Sequence, residues 1–351
     1  MARALFSFLL LLVVQCVLAQ PDTTDNSLVA YHQKYALGNR STSFLKQYIR
    51  KLDSLDQPVD QQLLDEYVGT LQVRDLDNFE TVSFLLQQGP ILQSKTYRLI
   101  YMNQTIVDSI YHKLPLDERK KINGKIIKNT TQKAIQEKDI NLAYNLSSFM
   151  YNAWLKSNPF LADIEQDRVM VEYLEQVADT TQYFRRAVNY YDRVYLYSTP
   201  DSMLKMNLAA HDNKPYRQPL DSAMQARWEH IPEARKRQYD TLFAKSLHRA
   251  AASFIKLGAK GPYIYNSLHW IQAAIKWRND VPEYYHTYAT ILASLQLLQE
   301  AISKEEQAIK LADRQQQDTS RYRRQLQALR EALQKKKIFV ADVTNLADSN
   351  E

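Results

Sequence analysis

The chain has 351 residues, with 45 lysines and arginines against 39 aspartates and glutamates and a formal net charge of +6. So modest an excess argues against a nucleic-acid binder, which needs a basic face with base-stacking or groove-reading features. One cysteine excludes a disulfide scaffold, and six glycines are too few for β-hairpins or glycine-rich phosphate loops.

Arg3 supplies a positive start, residues 4–14 form an apolar run broken only by Ser7, and Val17-Leu18-Ala19 offers short side chains to a signal peptidase. This pattern predicts a secretory signal over 1–19 with cleavage before Gln20. Cleavage removes Cys16, so the mature chain has no thiol and no intramolecular disulfide. It must then be stabilised by its core alone, for which more than 300 residues suffice. No later segment has the length and apolarity of a membrane span. The expected location is the periplasm, the cell surface or the medium.

From there the chain reads as helix after helix. Phe44, Leu45, Tyr48, Ile49 and Leu52 recur at helical spacing, followed by Leu63, Leu64, Tyr67 and Val68. Phe79, Val82, Phe84, Leu85 and Leu86 make a third stripe that Gly89-Pro90 stops. Leu142, Leu146, Phe149 and Met150, then Val169, Tyr173 and Leu174, then Phe184, Val188, Tyr191 and Tyr195 continue the pattern. Thr199-Pro200 opens another helix with proline at its first position. Residues 208–220, with Pro215 and Pro219, are the least regular and predict a long loop. The expected division is a signal at 1–19, an N-terminal α-helical array at 20–210, C-terminal repeats with a capping helix at 211–337, and a polar tail at 338–351. The fold class is all-α, in stacked helical hairpins.

From Pro282 the sequence resembles a tetratricopeptide repeat. Tyr285, Tyr288, Ala289 and Leu292 occupy the first helix, and Ala301 and Ala308 the small positions of the second. Two antiparallel helices touch at those alanines, where longer side chains would force them apart. Ser267, Ile271 and Ala274 stand 34 residues before Ala301, Glu305 and Ala308, which is the family's period. Glu305 departs from the pattern, standing where an aromatic or small residue belongs. Asp313 departs too, replacing the closing proline. After Asp318, Tyr322, Leu326, Leu329 and Leu333 suit the capping helix that a solenoid requires.

More broadly, residues 141–337 resemble the helical region that precedes a thioredoxin domain in exported proteins of Bacteroidota. The resemblance is carried by residues 180–195, Tyr284-Tyr285-His286-Thr287-Tyr288-Ala289, and Glu300-Ala301-Ile302 leading to Ala308-Ile309-Lys310-Leu311-Ala312. The two-cysteine redox domain is missing from this chain. The resemblance therefore implies the helical part alone, or an accessory subunit or degenerate relative of such a thiol–disulfide enzyme. Asp followed by Ser or Thr and then an aliphatic residue or Thr, at Asp22, Asp53, Asp108, Asp179, Asp201, Asp221 and Asp240, is similar to the O-glycosylation acceptors of that phylum, although Asp with Ser or Thr also starts helices.

Catalytic motifs are missing from the residue order. His32, His112, His211, His230, His248, His269 and His286 are scattered, with no second histidine three or four positions away. Glu172 with Glu175, and Asp163 with Glu165, are spaced like helix-surface pairs. The expectation is a non-enzyme without cofactor or metal that binds a protein or peptide partner in the cell envelope. In the family, the positions facing the concave groove correspond to Glu283, His286, Thr290 and Ser294, polar side chains suited to an extended peptide. As surface positions, Glu283 and His286 are expected to tolerate alanine. Intact mass of the exported protein should correspond to a chain starting at Gln20, allowing for cyclisation of that glutamine. A mass that includes Cys16 would contradict the cleavage site.

Overall fold

A computed structural model describes residues 27–156, 158–211, 222, 226 and 229–348, apart from the side chains of 208–211 and 337–348. The expected signal segment with Cys16 lies outside the described residues, as do 212–221. Among the described residues there are sixteen α-helices and no strand, so the protein is all-α and built of helical hairpins. It divides into two compact units, Met1–Leu142 and Ala143–Glu351.

In the first unit, α1 (Leu28–Ala36), α2 (Thr42–Ser54), α3 (Gln61–Gly69), α4 (Phe79–Gln87), α5 (Lys95–Tyr101), α6 (Gln104–Lys113) and α7 (Leu116–Glu137) follow in order. A 3-10 turn at Val73–Asp77 separates α3 from α4. Side-chain caps start many of these helices: the oxygens of Ser27, Asp60, Asn78, Ser94 and Asn103 accept from first-turn amides. The stripes Phe44–Leu45–Tyr48–Ile49–Leu52 and Leu63–Leu64–Tyr67–Val68 are buried, as periodicity requires.

The connection from α4 to α5 is held by side chains because it has no helix of its own. Asn129 donates to the Gly89 carbonyl at 2.7 Å, Leu92 N–H to Thr130 at 3.1 Å, and Ile91 N–H to Gln61 at 2.7 Å. Gly89 has φ +68° and its missing Cβ would lie 2.4 Å from Lys125 Cβ. No side chain fits there.

The second unit contains most of α8 (Ile140–Leu155), then α9 (Pro159–Gln176) and α10 (Thr180–Tyr191), which runs on into a π-helical segment at Asp192–Leu196. It continues with α11 (Pro200–His211), α12 (Glu233–Lys256), α13 (Pro262–Trp277), α14 (Pro282–Ser294), α15 (Leu298–Arg314) and α16 (Ser320–Asp348). Its centre is aromatic: Phe254 lies 4.8 Å from Phe184 and 4.7 Å from Trp270, and Tyr195 lies 5.2 Å from Phe243, ring to ring. Trp270 is fully buried and its indole N–H donates to Asp192 at 2.6 Å, which satisfies the one polar atom of that side chain.

Helices α12 with α13 and α14 with α15 form successive hairpins. Ser267, Ile271 and Ala274 on α13, and Ala301, Glu305 and Ala308 on α15, are each fully buried. Ala289, Leu292, Leu298, Ala301 and Leu329 make one apolar cluster, with half-buried Tyr288 against it. Ala308, Ala312 and Tyr322 make a second, with Tyr285 against it.

Scarce glycine has a structural counterpart. Asp56, Lys138, Ala178, Gln296 and Gln316 take left-handed φ values of 53–63° at helix exits, where glycine would cost nothing and other residues cost about 1 kcal/mol each.

Two boundaries differ from the sequence reading. The compact units part at 142/143, not at 210/211, because α11 packs on α12 and Asn207 donates to the Tyr239 hydroxyl at 2.9 Å. Proline-rich punctuation marks a break in helix, while unit membership follows packing. Helix α16 also continues to Asp348, through most of the span assigned to a polar tail, since nothing in 338–348 stops a helix.

Ala308→Leu should overpack the α14–α15 seam and cost about 1–3 kcal/mol, read as a lower urea midpoint. An unchanged midpoint would mean that the seam lies elsewhere.

Candidate functional site

Helix α14 begins with Pro282 at its first position, pre-set for helical φ. Glu283, His286, Thr290 and Ser294 follow at spacings of three, four and four, so they share one face. The structure brings these four onto one lane but leaves them unequal.

Glu283 is half-buried and forms an ion pair with Arg321 of α16, whose neighbour Tyr322 also donates to it at 3.4 Å. Thr290 donates to the His286 carbonyl and Ser294 to the Thr290 carbonyl, each at 3.0 Å. Ser294 is exposed.

His286 is the correction. Its Nδ1 lies 2.8 Å and 3.1 Å from the two carboxylate oxygens of Glu305, and its ring meets Tyr322 edge-on at 5.2 Å. The His286 side chain is 22% exposed and Glu305 is 0% exposed. His286 is therefore the hydrogen-bond partner of a carboxylate sealed inside the hairpin, and alanine there does not act as a surface change. The departure at Glu305, visible in the sequence as a misfit, is explained by a histidine 19 positions earlier on the facing helix.

A second histidine sits behind the lane. His248 on α12 bonds the Thr287 hydroxyl at 2.9 Å, and its ring lies 4.6 Å from Tyr284. Burial, and then the nearby His286, push its pKa down from 6.5 to about 4. In sequence His248 is one of seven scattered histidines, because its hydrogen-bond partner Thr287 lies 39 residues away.

Of the carboxylates weighed for catalysis, Glu165, Glu172 and Glu175 are ion-pair partners. Arg168 bridges Glu165 and Glu172 at 2.8 Å each, and Arg249 pairs with Glu175 at 2.9 Å. Ser253 also donates to Glu175, at 2.5 Å. On α16, Arg323 pairs with Asp313 and Arg330 with Glu306. Of the Asp-Ser/Thr pairs, Asp179 caps α10 through the Gln182 amide. Asp53, Asp108, Asp201 and Asp240 lie within helices, and Asp22 and Asp221 lie outside the described residues. No group of three or more metal-ligating side chains occurs among the described residues, and no described helix is long and apolar enough to cross a membrane. No family model matches the chain, and no curated protein matches it.

His286→Ala should leave Glu305 without its imidazole partner and cost about 1–3 kcal/mol in urea unfolding. His286→Phe with Glu305→Leu should recover much of that loss, because an apolar pair needs no desolvated charge. Equal stability of His286→Ala and the parent would show that Glu305 does not depend on the imidazole.

The His248 shift carries a sign. Its folded pKa lies below the unfolded value, so between about pH 6.5 and about pH 4 the unfolded chain binds the extra proton. Its contribution is thus complete above about pH 6.5 and is lost as pH falls toward 4. His248→Gln should flatten the pH dependence of the melting midpoint in that window. Identical profiles for variant and parent would rule the residue out as its source.

Proposed function

We propose that this is an exported, non-catalytic helical-repeat protein that holds a protein or peptide partner in the cell envelope, along the α14 face of Glu283, His286, Thr290 and Ser294. The observation that carries the reading is the polar linkage between the first helices of successive hairpins. Arg249 on α12 reaches Glu175 on α9, His248 on α12 reaches Thr287 on α14, and Arg321 on α16 reaches Glu283 on α14. These links set the first helices side by side beneath the α14 face, on which Ser294 is exposed. Stacked hairpins use such surfaces for extended ligands. The resemblance to tetratricopeptide repeats supports the same reading, through the 34-residue offset between buried positions of α13 and α15.

Within the lane the roles divide. Glu283 and His286 hold the capping helix and the buried Glu305, while Thr290 and Ser294 satisfy their hydroxyl protons on their own helix and keep oxygen lone pairs for a partner's donors. A photo-crosslinking residue at exposed Ser294, in the cells that make the protein, should give a discrete adduct. One at exposed Leu37, just after α1, should not give that adduct. No adduct at 294, or the same adduct from both positions, would defeat the assignment.

A further inference from the structure

The first unit carries an open polar cleft of about 1140 Å3 and a pocket of about 500 Å3, which share Gln93 in their walls. Most charges of the cleft are already satisfied within the protein. Arg40 pairs with Glu66 at 2.6 Å and Lys133 with Glu137 at 2.7 Å. Asp65 accepts from Gln61 and twice from Thr96.

Lys95 is different. Its ammonium makes no hydrogen bond or ion pair among the described residues, and its Nζ lies 2.9 Å from where a Cβ on Gly69 would be. Arg98, one turn on along α5, is exposed and likewise unpaired among the described residues. Two like charges three positions apart on a helix repel by a few tenths of a kcal/mol, and neither has an ion-pair partner among the described residues.

The pocket beside them is aromatic. Tyr97 and Tyr101 stack with ring centroids 4.3 Å apart. Burial raises both phenol pKa values, which keeps the hydroxyls neutral. Met102 is 79% exposed at the pocket edge, an apolar and polarizable side chain of the kind that favours aromatic ring edges. Gln93 has φ +65°. The five other left-handed non-glycine residues end helices, whereas Gln93 precedes the Ser94 cap. Strain of this kind collects at ligand clamps.

We propose that this surface binds an extended peptide segment in which an aromatic residue lies between carboxylates, with the ring against Tyr97, Tyr101 and Met102 and the carboxylates on Lys95 and Arg98. Neighbouring helix positions three apart place their Cβ atoms about 5–6 Å apart. In an extended peptide the carboxylates flanking the central aromatic residue are four positions apart and stand about 13 Å from each other, a span that the two long cationic side chains cover when they splay to either side. This site lies in the first unit and does not depend on the α14 lane.

The test uses the full mature chain and a fluorescein-labelled, acetylated and amidated peptide of sequence Asp-Ser-Phe-Ser-Asp, followed by fluorescence anisotropy. Saturable binding that weakens with added salt is expected. Lys95→Glu combined with Arg98→Glu should weaken it by about tenfold or more, and Met102→Ser by about threefold. All three side chains are exposed, and unchanged circular dichroism and melting verify the fold. Three results would overturn the proposal: no saturable binding, equal affinity after charge reversal, or equal affinity for the peptide with Phe replaced by Ser. Binding of a glucuronic acid trimer in place of the peptide would also overturn it, by assigning the cations to a sugar acid.

Discussion

Close approach of the two helices in the α14–α15 hairpin governs much of what surrounds it. Ala289, Ala301 and Ala308 have no exposed surface, and side chains this small let the helix backbones come near each other. A carboxylate between them at position 305 is cut off from water, where an unpaired charge is costly. Only a donor from the facing helix can answer it. His286 does so, and its ring in turn gives Tyr322 of α16 an edge to pack on. The capping helix is thereby tied to the hairpin by a polar chain as well as by the apolar cluster of Ala308, Ala312 and Tyr322.

The α12–α13 hairpin solves the same problem with different chemistry. Ala250, Ala251 and Ala274 are fully buried there too, but Ile271 stands where the next hairpin has Glu305. The polar requirement moves to Trp270, whose indole N–H finds Asp192 in the π-helical segment after α10. A π turn holds one more residue than an α turn. Burial raises the Asp192 carboxyl pKa, while the Trp270 bond and then the charge of His269 oppose the rise.

The first unit has less repetition and more side-chain bonding to its connections. Asn129, Thr130 and Gln61 hold the backbone of 89–92, and Asp65 holds the start of α5 through Thr96. That rigid support is what allows α5, a helix of seven residues, to present Lys95, Arg98 and a stacked tyrosine pair together. The two surfaces argued for binding differ accordingly. The α14 lane is made by neighbouring hairpins, whereas the α5 surface is made by one short helix and the loop before it.

Helix existence and burial were readable in residue order, because a helix repeats its inward face every 3.6 residues and the stripes at 44–52, 63–68 and 285–308 follow that period. Small residues at 289, 301 and 308 marked the hairpin contact for the same reason. The four lane positions could be placed on one face, yet their partners could not. Arg321 is 38 positions from Glu283, and Glu305 is 19 from His286, so nothing local records these pairs. The unit boundary was hidden likewise, since proline shows where a helix stops and says nothing of which helices pack beyond the stop. Backbone periodicity is a property of neighbours in sequence. The hydrogen bonding of a buried carboxylate, the pairing of His248 with Thr287 and the lack of an ion-pair partner for Lys95 among the described residues are properties of neighbours in space, and they came into being only when the chain folded.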